Sequence, residues 1–134
     1  MSDDDGSVLL LTLGYALLAL ALIFGSVCAT DLYISQKRLD ALADAAALAG
    51  ADGFTLVVDG ATARADLSDE GVREQAIALV VAWPGEASVV SATAPDGLSA
   101  RVTVAAEWNP PLLSLFVPDG VRLEATGTSR TALR

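Results

Sequence analysis

From Gly6 to Thr30 the chain carries no charged residue, and this stretch limits what the protein can become more than any other. Within it, Val8 to Ala29 reads VLLLTLGYALLALALIFGSVCA, where only Thr12, Tyr15, Ser26 and Cys28 bring polar side-chain atoms. Wound into a helix at about 1.5 Å per residue, this run spans roughly 33 Å, enough for a hydrocarbon core about 30 Å thick. Two other readings compete: a buried core helix and a secretory signal. A helix apolar on every face needs a large protein body around it, and 134 residues leave little to wrap it. Secretory signals open on basic residues and have a shorter apolar block, whereas MSDDDG is acidic. The sequence therefore predicts a retained transmembrane helix over residues 8–29, behind a short acidic leader, residues 1–7, read as disordered.

Nothing stops that helix at its outer end. No Pro or Gly occurs between Ser26 and Gly50, and TDLYISQKRLDALADAAALAG consists of good helix formers. Leu32, Leu39, Leu42 and Ala46 recur at helical spacing, opposite a wetter side of Asp31, Gln36, Lys37, Arg38, Asp40 and Asp44. The expectation is one rod of about 43 residues, its second half over residues 30–50, with Gly50 as its stop. The apolar stripe of that half is read as the docking surface for the C-terminal domain. Inside the span, Ala21, Gly25 and Ala29 recur every four residues on one face, a spacing that lets a second helix approach closely in lipid. Chance in an alanine-rich segment is the alternative.

Residues 51–134 suffice for one small β-rich domain. Phe54–Val58 ends at the turn pair Asp59-Gly60, and Thr62–Asp66 returns as a second, weaker strand. Ser68 reads as an N-cap, with Asp69 and Glu70 in the first turn of a helix over 69–83 that Pro84-Gly85 ends. Its stripe is Val72, Ala76, Leu79, Val80 and Trp83. Around Pro95-Asp96-Gly97, Ala87–Ala94 and Leu98–Trp108 form a hairpin. Its second arm alternates apolar Ala100, Val102 and Val104 with Arg101 and Thr103. After Asn109-Pro110-Pro111, Leu112–Val117 is expected to form a turn of helix or a loop that tucks under the sheet, and Val121, Leu123 and Ala125 alternate in a last strand that GTSRTALR either extends or frays from. The fold class is α+β: a long N-terminal helix packed on a small antiparallel sheet with one additional helix.

Composition narrows the function. A net charge of −9 makes the chain a poor partner for nucleic acid, whose phosphates demand cations. There is no histidine and one cysteine, which removes the commonest general base and metal ligand and any intrachain disulfide framework. The carboxylates Asp59, Asp66, Asp69 and Glu70 match no calcium-loop spacing and read as capping and surface groups. Cys28 follows Val27 rather than a small residue, which argues against lipid attachment. An inert packed thiol is its default, an interchain disulfide the alternative. No catalytic, metal or cofactor constellation can be assembled, and no small-molecule substrate is evident. The expectation is a non-enzymatic protein that needs no cofactor.

A leader ending in Gly6-Ser7, a long apolar helix and a short β-rich domain look like the plan of type IV pilin-like proteins. More specifically, Gly6 to Ala51 resembles the N-terminal segment of the TadE/TadG-like proteins of tight-adherence, or Flp-type, pilus assembly systems. The most specific part is Gln36-Lys37-Arg38-Leu39-Asp40-Ala41-Leu42-Ala43-Asp44-Ala45-Ala46-Ala47-Leu48-Ala49-Gly50-Ala51. The resemblance implies a single-pass minor pilin or assembly factor, its C-terminal domain outside the cell, partnered by lipid and by other pilin-like subunits or the assembly machinery. It also implies prepilin-type processing between Gly6 and Ser7, although Leu11 stands where such pilins usually carry a glutamate. Counting cations alone, Lys37-Arg38 beyond the span would place that domain inside. The alternative function is a membrane-tethered extracytoplasmic binding or sensor domain unrelated to pili.

Overall fold

The computed structural model of the protein describes residues 2–116 and 118–131. Helix α1 runs unbroken from Ser2 to Asp52, 51 residues and roughly 77 Å of rod. It is longer than expected at both ends. The leader read as disordered forms its first turns from Ser2, and Asp4 and Asp5 lie where unpaired N–H groups and the helix dipole favour negative charge. Met1 lies outside the described residues. At the other end the helix passes Gly50 and stops at Asp52, with the Gly53 N–H donating to the Gly50 carbonyl at 3.2 Å. Gly50 is buried and serves packing rather than termination. A Cβ there would come within 2.9 Å of Val72 Cγ1 and 3.3 Å of Ala100 Cβ.

Two hydroxyls in the apolar half are satisfied by the helix itself. Thr12 Oγ1 donates to the Val8 carbonyl at 2.9 Å and Ser26 Oγ to the Leu22 carbonyl at 2.8 Å. Such bonds let a polar side chain sit in a segment that offers it no other partner.

Strands β1 (Thr55–Asp59) and β2 (Thr62–Asp66) make a two-stranded hairpin, exposed except at Ala65. Gly60 takes the left-handed conformation (φ 65°) that closes its turn. Helix α2 (Asp69–Ala82) starts as its sequence predicts, with the Gly71 N–H donating to Ser68 Oγ at 3.1 Å. It buries Val72, Ala76 and Val80, and Leu79 and Trp83 pack half-buried against the same core.

Strands β3 (Ala87–Thr93), β4 (Ser99–Trp108) and β5 (Val121–Arg130) form an antiparallel sheet in that order, with a bulge between Val89 and Ser91. The period-2 pattern of β4 becomes its two faces: Ala100, Val102 and Val104 are fully buried, while Arg101 faces water. β5 continues through Arg130, so the first half of the tail extends the strand, while residues 132–134 lie outside the described residues.

Both helices lie on one side of this sheet. α1 crosses β4 and β5, α2 packs against β3, and the helices touch each other. The core between the layers is Leu39, Leu42, Ala43, Ala46, Ala47 and Ala51 of α1, with Val72, Ala76 and Val80 of α2 and Ala92, Ala100, Val102, Val104 and Ala125 of the sheet. It is rich in alanine, and burial of small side chains stabilises chiefly by bringing the layers close. The fold is α+β, with the expected long N-terminal helix, second helix and small antiparallel sheets.

Candidate functional site

Among the described residues, the candidate features are exposed surfaces along α1 and at the base of the head. Along α1 the boundary falls near Cys28. Before it, the large apolar side chains from Val8 to Val27 are exposed, with Phe24 alone half-buried. Beyond Asp31 the inner stripe sinks into the head, Leu39, Leu42 and Ala46 being buried and Leu32 half-buried. The bare half is long and apolar enough to cross a membrane, and its most apolar stretch is not buried, unlike the core helix of a soluble protein.

On that half, Ala21, Gly25 and Ala29 are all exposed on one face, and a Cβ at Gly25 would meet nothing within 4 Å. The seam is vacant within a single chain. Gly6 and Ser7 are exposed in the second turn of the helix, away from any neighbour.

At the boundary the head reaches down to the rod. Trp108 Nε1 donates to Asp31 Oδ2 at 2.7 Å, joining the end of β4 to the first charged residue after the span. One turn nearer the N-terminus, Cys28 is half-buried with its thiol 4.0 Å from the Pro111 carbonyl. Higher up, Gln36 Nε2 donates to Asp40 Oδ1 at 3.0 Å and to the Glu124 carbonyl at 3.1 Å, a tie between rod and β5. Lys37 stays on the wet side, 3.7 Å from Asp40 and over the Tyr33 ring.

The segment after Trp108 departs from its expected place. Instead of tucking under the sheet, it lies beside α1 at Cys28, with Leu112, Leu115 and Phe116 exposed at 79%, 88% and 79% and Leu113 half-buried. Pro110 and Pro111 lack the N–H groups that would continue the ladder, so the chain leaves the sheet there. Val117, part of the same expectation, lies outside the described residues. The signal was legible as an uncharged run from Trp108 to Pro118, but hydropathy alone does not say which surface takes it.

Two carboxylates of the head, Asp69 and Asp96, have structural duties. Asp69 Oδ1 accepts from the Ala94 N–H at 2.7 Å, pinning the start of α2 to the end of β3. Asp96 caps the β3–β4 turn: Oδ1 accepts from the N–H groups of Leu98 and Ser99 at 3.0 and 2.6 Å, and Oδ2 accepts from the Ser99 hydroxyl at 3.0 Å. These bonds, Leu98 first, hold its carboxyl below the ordinary value of 3.8. Among the described residues, no group of three or more His, Cys, Asp or Glu side chains is placed to hold a metal ion. A shallow depression of about 430 Å³ at one end of the sheet is lined by the exposed side chains of Glu86, Ser88, Glu107 and Arg122.

The architecture defines a class: among the described residues, one helix of membrane-crossing length, continuous with the spine of a small α+β head. It is compatible with a single-pass membrane anchor. Comparison with protein-family models, curated proteins and solved structures finds no match to this chain.

Proposed function

We propose that the protein is a membrane-anchored minor pilin or pilus assembly factor of a tight-adherence system, acting by helix packing and not by catalysis. The observation that carries this reading is the division of α1 into a bare apolar half and a half buried as the spine of the head. A rod built this way stays in lipid before assembly and can exchange lipid for neighbouring rods afterwards. In both settings close packing rather than water exclusion drives helix association, which is what the Ala21, Gly25 and Ala29 face suits. The resemblance of Gly6–Ala51 to the TadE/TadG-like segment supports the same reading, with the head outside the cell and pilin-like subunits or assembly machinery as partners.

The test is to shear surface filaments from cells producing a C-terminally tagged chain, and to sequence the N-terminus of the protein in each fraction. Under this reading the head is accessible to external protease, and the protein is found in sheared filaments or is needed for them to appear. A new terminus at Ser7 would add prepilin-type processing. Filaments that assemble unchanged without the protein would overturn the pilus reading in favour of a tethered sensor.

A further inference from the structure

The loop Pro110–Phe116 carries three large apolar side chains that the core does not use, Leu112, Leu115 and Phe116. Its exposed side chains would be costly in water, and Leu112 holds a left-handed backbone (φ 63°) that leucine rarely adopts. What the loop touches shows where it sits along the rod. The Pro111 carbonyl faces the Cys28 thiol, at the outer end of the apolar stretch, and Trp108 at the root of the loop is bonded to Asp31, the first charge beyond that stretch. Phe24, one turn deeper on the Cys28 face, is half-buried while Ile23 and Gly25 beside it are exposed. From Trp108 to Pro118 no residue is charged, and Glu107 and Asp119 bracket the run.

We infer that this loop is a second membrane contact: Leu112, Leu115 and Phe116 insert into the outer interface of the bilayer that α1 crosses. The inference rests on the reading of α1 as a transmembrane helix. The occupant is lipid because the loop is continuous with the apolar surface of the span at the depth where hydrocarbon ends. Trp108 supports this placement, since an indole with one bonded polar edge and an apolar body belongs at that depth. With no cation in the run and a strongly acidic chain around it, the contact is apolar and takes zwitterionic lipid. Two attachments on one head, helix and loop, set its tilt over the surface, which a single rod leaves free.

The experiment uses the full chain in nanodiscs of phosphatidylcholine, in a Cys28→Ser background so that one introduced thiol carries an environment-sensitive fluorophore. Three single-site variants are compared: Phe116→Cys in the loop, Leu18→Cys within the span, and Asp59→Cys at the exposed β1–β2 turn. All three side chains are exposed, so labelling leaves the core intact. The expected result at position 116 is blue-shifted emission that is lost when lipids carrying a shallow nitroxide are included. Position 18 should be quenched by a deep nitroxide, and position 59 should emit as in water. Water-like emission at 116 with quenching at 18 overturns the loop contact and leaves the span standing. Blue-shifted emission at 116 that no lipid nitroxide quenches means the loop is covered by protein, which also overturns it. If position 18 is not quenched either, the transmembrane reading falls and the loop contact with it.

Discussion

Gly127 of β5 lies directly against the backbone of α1 at Ala43. A Cβ added there would collide with the Ala43 carbonyl and come within 2.7 Å of the Asp44 nitrogen. This contact sets the spacing between rod and sheet. Around it, Ala43, Ala46, Ala47, Gly50 and Ala51 of α1 are all buried, a run of small residues that lets the helix ride close over β4 and β5. The alanine-rich segment is therefore the head's mounting surface, with Leu39 and Leu42 buried in the same core.

Gly127→Ala should force the sheet away from the helix. Overpacking of this kind costs roughly 1–3 kcal/mol, and more where backbone must move. The head of the full chain in micelles should melt at lower urea, read by tryptophan emission. Gly25→Ala is the contrast. With open space around it, the change favours the helix by up to about 1 kcal/mol and leaves the head's midpoint alone.

Leu42→Ala removes the largest fully buried side chain of the rod, and its cost should fall at about 2–5 kcal/mol. Leu48→Ala on the same helix replaces an exposed side chain and should stay within about 0.5 kcal/mol. Equal losses from the two in chemical denaturation would contradict this packing.

The indole–carboxylate bond between Trp108 and Asp31 couples β4 to the rod where the apolar span ends. A double-mutant cycle with Trp108→Phe and Asp31→Ala should give a coupling of about 1 kcal/mol or more, as for a hydrogen bond to a charged partner. Additive losses would mean that the two side chains act independently.

The Asp96 carboxyl is held below 3.8 by the bonds from Leu98 and Ser99. Its folded value lies below its unfolded one, so between the two the unfolded chain binds more protons and stability rises with pH. The contribution is complete above the unfolded value and is lost as pH falls through the folded one. In an acid titration the amide resonances of Leu98 and Ser99 should move with a midpoint below 3.8. Asp96→Asn should abolish that step, and a midpoint above 3.8 would refute the assignment.

Much of the fold was readable in the chain because its signals are local. A hydrophobic run as long as a bilayer's hydrocarbon core, unbroken helix formers after it, Ser68 as a cap and Asp59-Gly60 and Pro95-Asp96-Gly97 as turns are each read from neighbouring residues. The period-2 pattern of β4 even specified which face is buried. Three readings needed revision. The acidic leader is helical because Asp4 and Asp5 suit a helix start, Gly50 packs rather than stops, and the Leu112–Phe116 run lies outside the core.

By itself, then, the sequence determined the rod, its division into bare and amphipathic halves, and the order of elements in the head. Tertiary structure alone decided that Gly127 would lie against Ala43, that Trp108 would find Asp31, and that the loop after it would descend to Cys28. The physical reason is range. Propensity and hydropathy act along the chain, whereas these contacts join residues 77 to 84 positions apart (108 − 31, 111 − 28, 127 − 43), which meet only once helix and sheet have packed.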